Sequence, residues 1–289
     1  MLLGYSRQSY YQGIQYIHQK AYESDVIIEE VLRHRKNQKR LGTRKLLGEM
    51  KVFLDTHQFK IGRDAMFDLL SERGLLVSKR KRRGCVTTLS RHRFKKYPHI
   101  VRDFIPIGPN QLWVSDITYI HLANGFAYLS LITDAYSRKI VGFYLGEDLS
   151  AKGPLAALKM ALSSNPQRDG LIHHSDRGVQ YCCDEYVKLL EQHTIKISMT
   201  ENGDPLENAL AERVNGILKQ ELLEEVFAGF ETAQKEVAKA CSTYNHLRPH
   251  GSIDNLKPAQ AHQLSGTIKK RWKNNWQKDN KKGKEASMV

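Results

Sequence analysis

Between Leu112 and Leu145 the chain carries three successive segments suited to extended backbone. Leu112-Trp113-Val114-Ser115-Asp116-Ile117-Thr118-Tyr119-Ile120 is dense in β-branched and aromatic residues, which fit a pleated, half-buried surface. Asn124-Gly125 is a strong hairpin signal, so Phe126 to Ile132 reads as the returning strand and Lys139 to Leu145 as a third. Beyond this the pattern alternates. A helix is expected over Ala151 to Ser164, with Leu155, Leu158, Ala161 and Leu162 on one face, then a short strand from Leu171 to His174. A helix from Glu185 to His193, a strand from Lys196 to Met199 and a long helix from Asn208 to about Val226 follow. Three antiparallel strands succeeded by strand–helix alternation predict an α/β fold, a mixed five-stranded sheet flanked by helices.

The residues before this sheet read as helical. Asp25 to Arg35 repeats apolar residues at helical period through Ile27, Ile28, Val31 and Leu32. Thr43 is placed to cap a helix carrying Leu46, Leu47, Met50, Phe53 and Leu54. After Ile61-Gly62-Arg63 a further helix carries Ala65, Met66, Leu69 and Leu70 and stops at Gly74. Short helices joined by a tight link are the pattern of a helix-turn-helix. After the sheet region a helix is expected around Thr232–Tyr244, then a loop at Arg248-Pro249-His250-Gly251 and a lysine-rich end whose Trp272 and Trp276 pack on the core, the favoured reading, or touch DNA. No internal repeat is visible.

The net charge of +14 is unevenly spread. Residues 1–103 hold 23 Lys and Arg against 10 Asp and Glu; residues 104–265 hold 14 against 19; residues 266–289 hold 8 against 2. An acidic middle between basic ends suits a polyanion, because each phosphate neutralised releases a counterion. Lys79, Arg80, Lys81, Arg82 and Arg83 form the densest run, an extended basic linker continued by Arg91, Arg93, Lys95 and Lys96 and free until it meets DNA. With 289 residues, 40% hydrophobic, the chain has material for about two domains. No stretch of about 18 apolar residues exists to span a bilayer, and Met1 to Arg7 lacks the charged-then-apolar order of a leader. Cys85, Cys182, Cys183 and Cys241 form no C-x-x-C pair, which argues against zinc and fits a reducing cytoplasm, with Cys182 and Cys183 as small buried residues.

Three acids stand out. Asp116 interrupts an apolar strand, where a carboxylate is costly unless paired or bound to a cation. Asp176 follows a short strand, at the kind of strand end where open α/β sheets place ligands. Glu212 lies on the long helix, 35 residues beyond Asp176. Lys219, seven residues after Glu212, lies two helical turns along the same face, and Arg213 is adjacent. Carboxylates converging from different elements are the hard-oxygen donors magnesium prefers. His173 and His174 are read as packing and hydrogen-bonding residues rather than ligands.

Four ordered segments carry a resemblance: Trp113-Val114-Ser115-Asp116-Ile117-Thr118, His174-Ser175-Asp176-Arg177-Gly178-Val179-Gln180-Tyr181, Asn208-Ala209-Leu210-Ala211-Glu212, and Tyr244-Asn245-His246-Leu247-Arg248-Pro249-His250. The chain is similar over nearly its whole length to bacterial insertion-sequence transposases of the IS-three family, second-frame (OrfB) type. Their catalytic core is ribonuclease-H-like, as in retroviral integrases, with an Asp, Asp, 35-residue gap, Glu signature. Before the glutamate such proteins often read Gly-Asn-Pro-Tyr-Asp-Asn; here the stretch is Gly203-Asp204-Pro205-Leu206-Glu207-Asn208. Gly216 inside the catalytic helix costs roughly 1 kcal/mol relative to Ala.

The resemblance implies a helix-turn-helix-like DNA-binding region over 1–78, a basic linker over 79–103 and an integrase core over 104–227. It implies a helical extension over 228–265 and a basic tail, disordered without a partner, over 266–289. It implies a DDE polynucleotidyl transferase that cleaves and transfers DNA strands. Asp116, Asp176 and Glu212 would be its catalytic residues and ligands to two magnesium ions, for which manganese substitutes. Lys219, Arg213 and the 79–83 run are the expected DNA contacts. Double-stranded DNA, at element ends and target, and further copies of the chain are the expected partners, on nucleoid DNA in the bacterial cytoplasm. The chain begins with Met1 and shows no leucine heptads, which suggests a catalytic half joined to or paired with an upstream-frame product. A transposase-derived repressor without catalysis and a ribonuclease-H-like nuclease are the rival readings.

Overall fold

The computed structural model describes residues 7–78, 92–201 and 208–269. The chain divides into two compact units, Met1–Arg82 with Gln220–Leu222, and Arg83–Lys219 with Leu223–Val289.

The first unit contains α1 (Arg7–Arg35), α2 (Thr43–Glu49), α3 (Lys51–Thr56) and α4 (Arg63–Glu72). Ile27, Val31, Leu41, Leu46, Met50, Leu54, Met66, Leu69 and Leu70 close into one core. The helix expected from Asp25 starts far earlier, at Arg7, because apolar residues keep helical spacing upstream at Tyr10, Ile14 and Ile17. The helix expected to run from Thr43 through Leu54 is two, meeting at Met50 (φ −82°, ψ −1°). Thr43 does not cap it: Gly42 holds that position with no side-chain bond, and Thr43 is buried. Gly74 does end α4, in the left-handed conformation (φ +64°) open to a residue without Cβ. The Gly74 amide donates to Ser71 O (3.0 Å) and the Leu75 amide to Leu70 O (2.7 Å), so both last-turn carbonyls are satisfied. α2 packs against α4 across the intervening link, the helical arrangement the sequence suggests.

The second unit is built on a five-stranded sheet of β1 (Leu112–Leu122), β2 (Gly125–Asp134), β3 (Ile140–Gly146), β4 (Ile172–Ser175) and β5 (Lys196–Met199), in the order β3-β2-β1-β4-β5. β1, β2 and β3 pair antiparallel; β4 joins β1 in parallel, with Val114 beside His174, and β5 joins β4 in parallel. The hairpin turn sits one residue earlier than expected. Leu122 pairs with Gly125, so Ala123 and Asn124 are its centre and the positive φ (+125°) falls on Gly125.

α5 (Lys152–Ser164) and α7 (Asp184–Gln192) cover the face formed by Trp113, Ile117 and Ile132. α8 (Ala209–Ile217) covers the opposite face, where Ala211 packs with Leu112, Val114 and Ile172. α6 (Val179–Cys182) is a single turn following β4. The helix expected to reach Val226 ends earlier, through a π turn at Leu218–Leu222. Burial of Phe227 overrides helix propensity there: its amide bonds His121 O (2.9 Å) and its carbonyl accepts from Ala123 N (2.8 Å), adding backbone to the end of β1.

The described part of the basic linker, from His92 onward, is extended but held against the core, not free. Met199 N donates to Pro98 O (3.3 Å), Ile100 N to Ser198 Oγ (3.1 Å), and Phe94 and Tyr97 pack on the core. Apolar residues interleaved among the basic ones account for this docking.

α9 (Phe230–His246), a 3-10 turn (Gly251–Ile253) and α10 (Pro258–Ala261) complete the unit. Asn245 clamps the edge strand β3: its Oδ1 accepts from Ile140 N and its Nδ2 donates to Ile140 O, both at 2.9 Å. The pair closes backbone groups that an edge strand would otherwise expose. Ser137 Oγ donates to buried Asp134 (2.6 Å) and lies 2.9 Å from His262 Nδ1, whose Nε2 reaches Asn165 (3.2 Å), tying the C-terminal segment to β2 and α5.

Candidate active site

β1 is exposed to two environments by its alternation. Ser115 points to the α7 side, where its hydroxyl meets His173 Nε2 at 2.7 Å, and Tyr186 OH reaches the same nitrogen at 2.9 Å. Burial, with His174 adding, pushes His173 down to about 3, so the ring is neutral and serves as a hydrogen-bonding post. His174 bonds Ser198 Oγ through Nδ1 (2.9 Å). Both histidines are packing residues, as expected. Cys182 is buried and its thiol is pushed up to about 11 by burial, while Cys183 is only partly buried.

Asp116 and Thr118 point to the other side, toward α8. Asp116 Oδ1 accepts from the Ile117 amide (2.9 Å) and Oδ2 from Asn215 Nδ2 (2.7 Å). Just past the end of α8, in the π turn, Lys219 Nζ donates to Thr118 Oγ1 (3.0 Å). Glu212, Asn215 and Lys219 thus recur at helical spacing on the face turned to β1, with Glu212 in the first turn of α8. Asp176 follows β4, the parallel neighbour of β1, and its Oδ1 accepts from the Gly178 amide (3.0 Å). A Cβ at position 178 would lie 3.0 Å from both Asp176 Oδ1 and Gln180 Oε1, so a side chain there would press on the Asp176 carboxylate. The Asp-x-Gly turn therefore orients the carboxylate it contains.

The three acids share one field. Burial, first, and then the charge of Asp176 push the Asp116 carboxyl from 3.8 up to about 7; Asn215 and the Ile117 amide oppose this, and Glu212 adds to the rise. Among the described residues no three His, Cys, Asp or Glu side chains form a ready-made metal cage. The other two acids act on Asp116 through charge rather than contact, so a cation drawn to them would share its coordination with water or phosphate oxygens. The donor set is all carboxylate, with both histidines turned to other partners, which fits magnesium better than zinc.

Arg213 lies beside Glu212 and is exposed. Lys79, Arg80, Lys81, Arg82 and Arg83, the loop around Gly203, and Trp272 and Trp276 lie outside the described residues. Three site residues were missed in the sequence. Asn215 and Thr118 carry a detectable signal, a polar residue three positions after Glu212 and one two positions after Asp116. Tyr181 carries none: it is buried, its hydroxyl has no partner among the described residues, and burial, Tyr186 and then Asp116 and Asp176 push its phenol well above the usual range.

Two models described as integrase core domain match residues 107–205 and 193–258. The chain is 35% identical over 263 residues to the insertion element IS600 uncharacterized 31 kDa protein of Shigella sonnei, spanning 89% of this chain and 95% of that one. It is 31% identical over 247 residues to the transposase for insertion sequence element IS904 of Lactococcus lactis subsp. lactis, spanning 78% and 96%. The chain belongs to the insertion-sequence transposases with an integrase core. Transposase InsF for insertion sequence IS3A of Escherichia coli is 34% identical to it over 165 residues, 55% of this chain and 56% of that one. The five-stranded mixed sheet with its flanking helices is the fold of this transposase's polynucleotidyl transferase core. No helix among the described residues is long and apolar enough to cross a membrane.

Proposed function

We propose that Asp116, Asp176 and Glu212 are the catalytic triad of this transposase and hold two magnesium ions, with manganese able to substitute. The observation that carries the reading is the Asp116 carboxyl, lifted to about 7 in a site where Asp176 and Glu212 both press on it. Like charges held together in partial burial are relieved either by a proton or by a cation. Bound divalent ions would neutralise charge on the phosphate and ease loss of the proton from the attacking oxygen.

The chain's own residues supply orientation. The Ile117 amide and Asn215 fix both oxygens of Asp116, and the Gly178 amide fixes one oxygen of Asp176. Lys219, beside Thr118 on the same face, offers a positive charge to a DNA phosphate next to the triad; Arg213 and the basic residues Lys79, Arg80, Lys81, Arg82 and Arg83 are further candidate DNA contacts. A water molecule or a DNA 3′-hydroxyl attacks the phosphorus directly as the P–O bond to the departing strand breaks, so no covalent protein–DNA intermediate forms. The substrates are the element's own double-stranded ends and a target duplex on the bacterial nucleoid. The working form is a multimer of this chain, joined to or paired with an upstream-frame product.

The test is a cleavage and joining assay on labelled oligonucleotide duplexes with magnesium. Wild-type chain should nick and join, and each of Asp116→Asn, Asp176→Ala and Glu212→Ala should do neither while still retarding DNA on a gel. Nicking without joining would favour the nuclease reading, and full activity in any triad variant would remove the triad.

A further inference from the structure

We propose that Asn208 is a positioning residue for Glu212: its amide pins the start of α8 into the notch where β4 ends beside β1, and so sets the reach of the Glu212 carboxylate toward the metal ions. The inference rests on the triad reading above and adds a residue outside the triad to it. β1 and β4 lie in parallel register, from Leu112 beside Ile172 to Val114 beside His174. Ile172 N donates to Gln111 O (3.0 Å), and carbonyls along a strand alternate sides, so those of residues 111, 113 and 115 face β4. β4 ends at Ser175, one residue beyond its last register pair with β1. The Ser115 carbonyl therefore turns into the notch at the end of the paired length, with Asp116 next on β1 and Asp176 next after β4. Asn208 is buried there, and its Nδ2 donates to Ser115 O (3.0 Å).

Asn208 forgoes the ordinary use of its residue type. It holds the N-cap position of α8, where an asparagine oxygen accepts from an amide two or three residues on, yet it makes no such bond. Its Oδ1 has no partner among the described residues, and only the NH2 end suits a carbonyl acceptor, so the bond to Ser115 is what orients the side chain. Glu212 follows four residues later, one helical turn along the same face, and Asn215 three residues after that. α8 is thereby tied to β1 on both sides of Glu212, by Asn208 at Ser115 and by Asn215 at Asp116. Asn215 bonds a triad acid, so its loss disturbs Asp116 directly. Asn208 bonds backbone, so its loss releases the first turn of α8, which carries Glu212, and leaves the bonds that orient Asp116 and Asp176 in place.

The experiment uses the full chain without DNA and reads magnesium affinity from the rise of Tm with magnesium concentration. Wild type is compared with Asn208→Ala, Asn208→Ser, Glu212→Gln, and Asn208→Ala combined with Glu212→Gln, with far-ultraviolet dichroism as the check on folding. Serine is itself a favoured N-cap residue on a shorter arm, so Asn208→Ser keeps the start of α8 while withdrawing the bond to Ser115. Asn208→Ala and Asn208→Ser should each weaken magnesium binding about tenfold with unchanged dichroism, and Glu212→Gln at least as much. In the Glu212→Gln chain, Asn208→Ala should add no more than about twofold, because the group it positions is already gone. Wild-type affinity in either Asn208 variant, or the same tenfold loss with Glu212 already replaced, would overturn the role of Asn208 and leave the triad standing. Undiminished magnesium binding by Glu212→Gln would instead strike the triad reading, and this proposal with it.

Discussion

Replacing Asp116 with Asn should inactivate the transposase and at the same time stabilise it, by an amount that depends on pH. Burial and the two neighbouring acids raise the Asp116 carboxyl from 3.8 to about 7, so the folded chain binds this proton more tightly than the unfolded chain does. Between those values the unfolded state binds fewer protons, and stability falls as pH rises. The penalty is absent below about pH 4, grows through the interval and is complete above about 7. At 1.36 kcal/mol per pKa unit the full displacement corresponds to ~4 kcal/mol. Partial exposure of the carboxylate and relaxation of the acids apart reduce this to ~2 kcal/mol. Asparagine keeps an oxygen for the Asn215 amide and carries no charge. For a unit of this size, ~2 kcal/mol raises Tm by roughly 4–8 °C. The assay is thermal unfolding of both proteins in chelator at pH 4.5, 6 and 8: the gain should be small at 4.5 and greatest at 8. Magnesium should then raise the Tm of wild type at pH 8 but not that of Asp116→Asn, since only the former gains a ligand for the native state. A variant less stable than wild type at pH 8, or a gain equal at all three pH values, would refute the electrostatic account of the site.

Lys219→Ala should weaken binding of end oligonucleotides and lower the slope of log K against log salt by about 1, without changing the magnesium dependence of cleavage; an altered metal requirement with intact DNA binding would reassign it. Replacing Lys79, Arg80, Lys81, Arg82 and Arg83 together by Ser should reduce that slope by as much as about 4–5 if each touches a phosphate, and an unchanged slope would free the run from DNA. Asn245→Ala leaves the Ile140 amide and carbonyl unpaired in a buried position and should destabilise the core unit by roughly 2–4 kcal/mol, measured by urea titration; a loss under about 0.5 kcal/mol would mean the clamp is dispensable.

The sheet was legible because its strands announce themselves locally. β5 spans Lys196–Met199 as the sequence suggests, and the neighbourhood of β1 and β4 puts Asp116, on β1, close to Asp176, which directly follows β4. What could not be read depends on contacts distant in sequence. Phe227 leaves the helix because a vacancy at the end of β1 pairs its backbone, and nothing near residue 227 encodes that vacancy. Asn245 and Arg248 lie in a segment that carries the family resemblance and would pass for catalytic residues, yet Asn245 holds an edge strand and Arg248 is buried over Tyr244. Thr43 has the right identity for a cap, but apolar packing of α2 draws it inward and leaves Gly42 in the capping position.

The choice of partner for Asp116 carries the functional sense of the site. A strand-interior acid facing two others could be quieted by placing an Arg or Lys against it, and Lys219, in the π turn that continues α8, stands on the same face to do so. Instead Lys219 bonds the Thr118 hydroxyl, and the group against Asp116 is the neutral amide of Asn215. A cation at position 215 would pull the carboxyl down toward its ordinary range and fill the electrostatic demand of the site with a fixed charge. An amide orients the oxygen and lowers its proton affinity only in part, so the repulsion among Asp116, Asp176 and Glu212 persists. In the proposed metal site that residual repulsion would drive uptake of a mobile divalent cation, sustained by a neutral neighbour where stability alone would favour a charged one.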